Sequence, residues 1–257
     1  MSAQKIIIAL ATFNRPLVTG VCLESLQAVR SESVRLVVYD DTSSAYDKAY
    51  LQTKADEVIR FGRNGGIERS RARAMRDFVH RFTEYDLLYL TDNDTVHDPE
   101  FVEVLRMLFD FQAKSAHVFP VGLFRSVFHG SPENVISQNE VFLIQKTCPG
   151  VSQCYTRDMV IRMVDYLDRN PDMETLYGWD YHWPAILGVP FLQTYTSYLE
   201  HFARDRHEGG MHSQNSGTGS DALVDFERDR ALNPTPYLQF VRAPIIAEIM
   251  GNPPGEV

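Results

Sequence analysis

Two carboxylates one residue apart, Asp92 and Asp94, close the apolar run Leu87-Leu88-Tyr89-Leu90-Thr91. A short buried strand that stops on two acidic residues delivers them to the rim of a sheet. In an open α/β sheet, ligands sit at the carboxyl ends of the strands. Hard oxygen donors there suit Mg²⁺ or Mn²⁺, ions that keep several waters and share themselves with phosphates. The plainer alternative is a turn and a helix cap, roles that Asp and Asn also favour, and Asp98-Pro99-Glu100 starts a helix just downstream. Other apolar runs end in polar clusters too: Thr12-Phe13-Asn14-Arg15-Pro16, Asp40-Asp41-Thr42-Ser43-Ser44 and Gly62-Arg63-Asn64-Gly65-Gly66. The last is a glycine turn that opens a helix carrying Arg69, Arg71 and Arg73, a combination able to hold a phosphate or simply to present a solvated basic face.

Asp180 stands among Tyr177, Trp179, Tyr181 and Trp183. Aromatic rings can stack on a sugar and partly desolvate a carboxyl, which would suit it to general-base work. The bland reading makes Asp180 a helix cap before Ala185-Ile186-Leu187, with both tryptophans in the core. Glu200-His201 ends a further strand, and the polar residues 204–213 have the composition of a loop that closes over a ligand.

These side chains need a scaffold, and the pattern of apolar runs supplies one. Strands are expected over residues 5–11, 34–39, 57–61 and 87–92, separated by helices over 16–29, 46–54 and 67–82 and followed by one over 99–112. That βαβαβαβα order implies a parallel sheet with helices on both faces. From residue 116 regularity falls. Strands are expected over 117–122, 139–145 and 190–198 and helices over 157–167 and 223–232, with an irregular segment at 124–137. The expected organisation is a single domain over residues 1–220, its nucleotide-side half at about 1–115 and its acceptor-side half at about 116–220. Residues 221–257 are a C-terminal extension whose Pro-rich apolar part at 237–250 either wraps the domain or makes a dimer contact.

At 257 residues and 44% hydrophobic content the chain can bury a sizeable core. A net charge of −9 argues against nucleic acid or an anionic membrane surface as the main partner. Cys22, Cys148 and Cys154 lack metal-ligand spacing and fit reduced cytosolic thiols. No run approaches a membrane span and no cleavable leader is visible, so a cytoplasmic protein is expected.

Taken in order, the motifs resemble those of the GT-A nucleotide-sugar glycosyltransferases, family 2 in particular, over residues 6–213. Ala11-Thr12-Phe13-Asn14-Arg15 is similar to the family's opening segment, which implies that Thr12, Asn14 and Arg15 cup the nucleobase. Val38-Tyr39-Asp40-Asp41-Thr42-Ser43-Ser44 resembles V-V-D-D-G-S-T, implying that Asp40 or Asp41 meets base or ribose, with Thr42 where the family carries Gly. Asn64-Gly65-Gly66 followed by Ser70-Arg71 is similar to N-x-G-x-x-x-A-R-N, which places Asn64 and Gly66 at the nucleotide and Arg71 on the diphosphate or base. Asp92-Asn93-Asp94 corresponds to D-x-D: Asp94 would bind the ion directly, Asp92 the ribose or the ion through water, and Asn93 the nucleotide. Gly178-Trp179-Asp180 falls where inverting members carry the general base, although many show Glu-Asp there. His201 resembles the strand-end histidine that completes the metal shell, with His212 the runner-up for that role or for the diphosphate.

The resemblance therefore implies a Mn²⁺- or Mg²⁺-dependent transfer of a sugar from a nucleotide-diphosphate sugar, a UDP-sugar foremost, to an acceptor hydroxyl of open class, a glycan among them, with inversion. Two alternatives stand beside it. A sugar-1-phosphate nucleotidyltransferase shares the sheet and acidic ligands but needs a glycine-rich basic loop after the first strand, which Thr12-Phe13-Asn14-Arg15-Pro16 does not provide. A non-catalytic nucleotide-sugar-binding module would not need the carboxylates at Asp92, Asp94 and Asp180.

Overall fold

In the computed structural model, β1 (Ile6–Thr12) is buried along its whole length. The reason is visible in its neighbours. Ile6, Ile8 and Leu10 pack with Cys22, Leu23 and Leu26 of α1 (Pro16–Gln27) and with Phe101, Leu105 and Leu108 of α4 (Phe101–Gln112). Ile7 and Ala9 turn the other way, onto Ala72, Met75 and Phe78 of α3 (Ile67–His80) and onto Met159, Met163 and Val164 of α5 (Arg157–Arg169). A strand covered on both faces must be apolar at every position, and this one is. The structure describes residues 4–201 except 115, 116, 127, 128, 130, 140 and 177. His212, the loop at 204–213, the helix expected at 223–232 and the extension at 221–257 lie outside the described residues.

Among the described residues the main sheet has nine strands. β3 (Glu57–Arg60), β2 (Val34–Asp40), β1 and β4 (Leu87–Asp92) run parallel in that order, as the βα pattern implies. The short α2 (Lys48–Gln52) links β2 to β3. Register then fixes the site, because Thr12 pairs with Asp40 and Ala11 with Asp92, so three carboxyl-terminal strand tips lie side by side.

Beyond β4 the sheet is mixed. β9 (Ser152–Thr156) runs antiparallel to β4 and to β6 (Val121–Gly122). β10 (Phe191–Thr194) is parallel to β6, and β8 (Phe142–Gln145) and β7 (Val135–Gln138) follow antiparallel. The helix α6 (Trp179–Leu187) packs both of its tryptophans into the α3/α5 side of the core. A second, two-stranded sheet pairs β5 (Thr95–His97) with β11 (Leu199–His201), placing His201 opposite Thr95. The strand expected at 190–198 forms only over 191–194, as β10, and β11 follows it in the other sheet, while β5, β7 and β9 lie where no strand is expected.

Candidate active site

The loop after β1 leaves the strand through two consecutive left-handed residues, Asn14 (φ 51°) and Arg15 (φ 60°). Such conformations are costly without glycine and persist only where surrounding bonds fix them. Here they are fixed. Asn14 Oδ1 accepts the backbone N–H groups of Ser44 (2.8 Å) and Ala45 (3.1 Å), and the Asn14 N–H donates to Ser43 Oγ (2.8 Å). Thr12 belongs to a buried hydroxyl cluster with Thr19 and Tyr46, and Asn93 Nδ2 donates to Thr19 Oγ1 (2.8 Å) and Thr12 Oγ1 (3.2 Å).

The two acids after β2 serve the loops themselves. Asp40 Oδ1 accepts the Ser43 N–H (3.1 Å) and Oγ–H (2.5 Å), while Oδ2 lies 3.1 Å from Arg60 Nε. Asp41 accepts the N–H groups of Gly65 and Gly66, each at 2.8 Å, so the turn expected to cradle a phosphate is filled from within by a carboxylate. Asn64, on the exposed side of that turn, reaches the Asp41 carbonyl at 3.5 Å. Thr42 occupies the glycine position of the motif with φ 67° and donates its hydroxyl to Phe61 O (2.9 Å), so the left-handed turn survives the substitution.

Asp94 is the convergence point. Its Oδ2 accepts from Arg15 Nη1 at 2.9 Å, and its Oδ1 lies 3.1 Å from His201 Nε2, brought there by the β5/β11 ladder. The histidine contact is close but poorly aligned, leaving Oδ1 without a well-formed hydrogen bond among the described residues. Burial opposes ionisation of Asp94, yet the His201 and Arg15 charges outweigh it and hold the carboxyl well below the ordinary range. Asp92 is held differently, with both oxygens on Arg71 Nη2 at 2.8 and 3.0 Å; the same nitrogen also donates to Gly150 O at 2.9 Å. Arg71 is therefore committed to a buried ion pair behind the motif. Among the described residues no group of three or more His, Cys, Asp or Glu side chains gathers as a closed metal cage.

Asp180 sits in the first turn of α6, after the left-handed cap Gly178 (φ 92°), and is not itself the cap. Its Oδ2 lies 3.3 Å from Nε2 of His129, a buried side chain whose ring stacks on Tyr181 at 5.0 Å. The Gly178 N–H donates to Oε1 of Glu68 (3.3 Å), a buried carboxyl whose Oε2 has no partner among the described residues and which burial pushes upward. His129 and Glu68 escaped the sequence reading. His129 lies in the segment with no periodicity, and Glu68 looks like an ordinary acidic residue in the first turn of a helix.

The arrangement offers one carboxylate with an open oxygen beside an imidazole, a guanidinium next to them, and a second carboxylate on a helix that belongs to the other half of the fold. A family model described as glycosyl transferase family 2 matches residues 7–170. Among solved structures, S. aureus TarS matches at 16% identity and a TM-score of 0.54, over 76% of this chain and 36% of that one. A TarS fragment, residues 1–349, matches at 15% identity and 0.55 over 97% and 92%, and the same fragment in complex with UDP-GlcNAc matches at 15% and 0.53 over 96% and 80%. No curated protein sequence matches the chain. No helix among the described residues is long and apolar enough to cross a membrane.

Proposed function

The chain belongs to glycosyl transferase family 2 and is a glycosyltransferase; on that premise we propose that it moves a sugar from a UDP-sugar to an acceptor hydroxyl, with a divalent ion at the diphosphate and inversion at the anomeric carbon. One observation carries the reading: Asp94, in the turn between β4 and β5, and His201, in β11, meet at 3.1 Å beside Arg15 on the carboxyl rim of the sheet. An oxygen and a nitrogen at that separation can take adjacent positions on one small ion, and the open Oδ1 of Asp94 is a donor without another task. Asp94 and His201 would thus hold Mn²⁺ or Mg²⁺, with Asp92 behind them. When bound, the ion would offset charge gathering on the departing diphosphate.

The chain's own residues do the rest. Arg15 fixes one Asp94 oxygen so that the other faces the ligand, and the Asn14 bridge holds the two loops against the nucleoside. Arg71 holds Asp92 in place and opposes the upward push that burial gives its carboxyl. Asp180 takes the proton from the acceptor hydroxyl as that oxygen attacks the anomeric carbon and the phosphate oxygen leaves with the bonding pair. TarS in its UDP-GlcNAc complex supports a UDP-sugar as the donor to try first.

The test begins with a panel of nucleotide sugars and Mn²⁺ read by thermal shift, since a ligand well above its dissociation constant raises stability measurably. Asp94→Ala is expected to abolish the ion-dependent shift. Asp180→Asn is expected to keep it and to lose turnover by about 10³-fold, the range for removing a general base; substantial transfer by that variant would reject Asp180 as the base.

A further inference from the structure

The environment of His129 fixes its proton inventory. Asn134 points its amide nitrogen at two backbone carbonyls, those of His129 and Thr147, the latter at 3.4 Å. Carbonyls accept only, so that end of the Asn134 side chain is the donor end and its Oδ1 must accept. The Thr147 hydroxyl lies 3.0 Å from this Oδ1 and donates to it. Its oxygen also lies 2.8 Å from His129 Nδ1. With the hydroxyl proton already spent on Asn134, both bonds are satisfied only if Nδ1–H donates to Thr147. The second ring nitrogen, Nε2, is then left facing Asp180 Oδ2 at 3.3 Å. In the neutral ring that nitrogen is a lone pair aimed at a carboxylate, and a proton set between them has two acceptors.

We infer that His129 is the positioning residue of Asp180: held in the Nδ1–H tautomer through Thr147 and Asn134, it turns the carboxylate toward the acceptor and shares at Nε2 the proton that Asp180 removes. This rests on Asp180 being the base. The step balances. The acceptor O–H bond breaks and its proton goes to Asp180 and on to Nε2; the acceptor oxygen bonds the anomeric carbon; the sugar–phosphate bond breaks and its electron pair leaves on the diphosphate. The imidazolium afterwards gives the proton to water. Among the described residues, the groups facing the pair include Tyr181, stacked on the ring from α6, and, around Asp180, the charges of Glu68 and Arg71 from α3, the buried thiol of Cys148 and the buried phenol of Tyr155 from β9.

The arrangement has a pH signature. A proton already on Nε2 makes the pair a closed ion pair that can take no other, so turnover should fall with falling pH. Gln at this position can donate to Asp180 but cannot take up a proton. His129→Gln is therefore expected to keep the Mn²⁺-dependent thermal shift with UDP-N-acetylglucosamine, to lose about tenfold in donor hydrolysis with water as the acceptor, and to lose that acid limb. Nitrogen-15 NMR of histidine-labelled protein reads the tautomer without any activity, and Nδ1–H is the expected form of the neutral ring. An Nε2–H tautomer, or an acid limb in His129→Gln identical to that of the unaltered protein, overturns the relay. Asp180→Asn with undiminished hydrolysis overturns the base assignment instead, so the two failures can be told apart.

Discussion

The tips of β1, β2 and β4 and the first turn of α6 hold their carboxylates by opposite means. At the strand tips each acid is tied several times over. Asp41 takes two backbone N–H groups, Asp40 takes two donors from Ser43, Asp92 is gripped by Arg71, and Asp94 stands between Arg15 and His201. On α6, the side-chain ion-pair partner of Asp180 among the described residues is His129, and the carboxyl remains partly open. On the proposed roles, a group that holds an ion and a diphosphate would gain from rigidity, because charge stabilisation works best when the site is already organised. A group that must meet a moving acceptor and exchange a proton gains from access.

The contrast is broken hardest at Arg71. Arg71→Ala strands Asp92 in a buried setting without its guanidinium and is expected to cost about 3 kcal/mol in urea unfolding. His129→Gln should cost far less stability while costing turnover. Equal destabilisation by the two variants would erase the distinction.

The seam between the halves, where β5 pairs with β11, gives a pH-dependent effect of intermediate size. His97 is fully buried against Tyr89 and Thr91, and burial pushes its imidazole down to about 3. The unfolded chain takes up a proton as pH falls through about 6.5, whereas the native state does not until far lower. Stability from this residue is therefore complete above about pH 6.5 and is lost progressively below it, by about 2 kcal/mol at about pH 5. Replacement by Asn should flatten that slope when urea midpoints are compared across the range; an unchanged slope would remove His97 as its source.

The smallest effect sharpens the comparison. Thr42 pays for a left-handed backbone that glycine adopts freely. Thr42→Gly forfeits the bond to Phe61 O and adds unfolded-state entropy, so a net gain below about 1 kcal/mol is expected, with donor binding unchanged.

The same asymmetry decided what the sequence disclosed. β1 to β4 were legible because a strand covered on both faces has to be apolar throughout, and the motif acids at their ends stand out against such runs. β9 was not, since Ser152-Gln153-Cys154-Tyr155-Thr156 looks like a loop. It is buried only because its polar atoms are paired: Ser152 Oγ accepts from Tyr89 OH (3.0 Å) and the Leu123 N–H (3.1 Å), and Gln153 Nε2 donates to Cys148 O (3.0 Å). β5 is three residues long and hid inside the turn after the D-x-D motif. Asp180 could be picked out by its aromatic company. His129 could not, because what matters about it is a chain of bonds through Thr147 and Asn134 that no spacing announces. Arg71 shows the converse: the motif singles it out for the diphosphate or base, while its contacts in the fold are with Asp92 and Gly150.

The three-rung ladder between β5 and β11 has a consequence for how the molecule comes into being. Asp94 emerges early in the chain, but its imidazole neighbour arrives more than a hundred positions later and is seated only when Leu199 and Glu200 zip onto His97 and Val96. On the proposed ion site, a nascent chain that stops short of that strand would carry Asp92 and Asp94 yet lack the imidazole beside them. Competence for the donor would then wait on the closing of the seam.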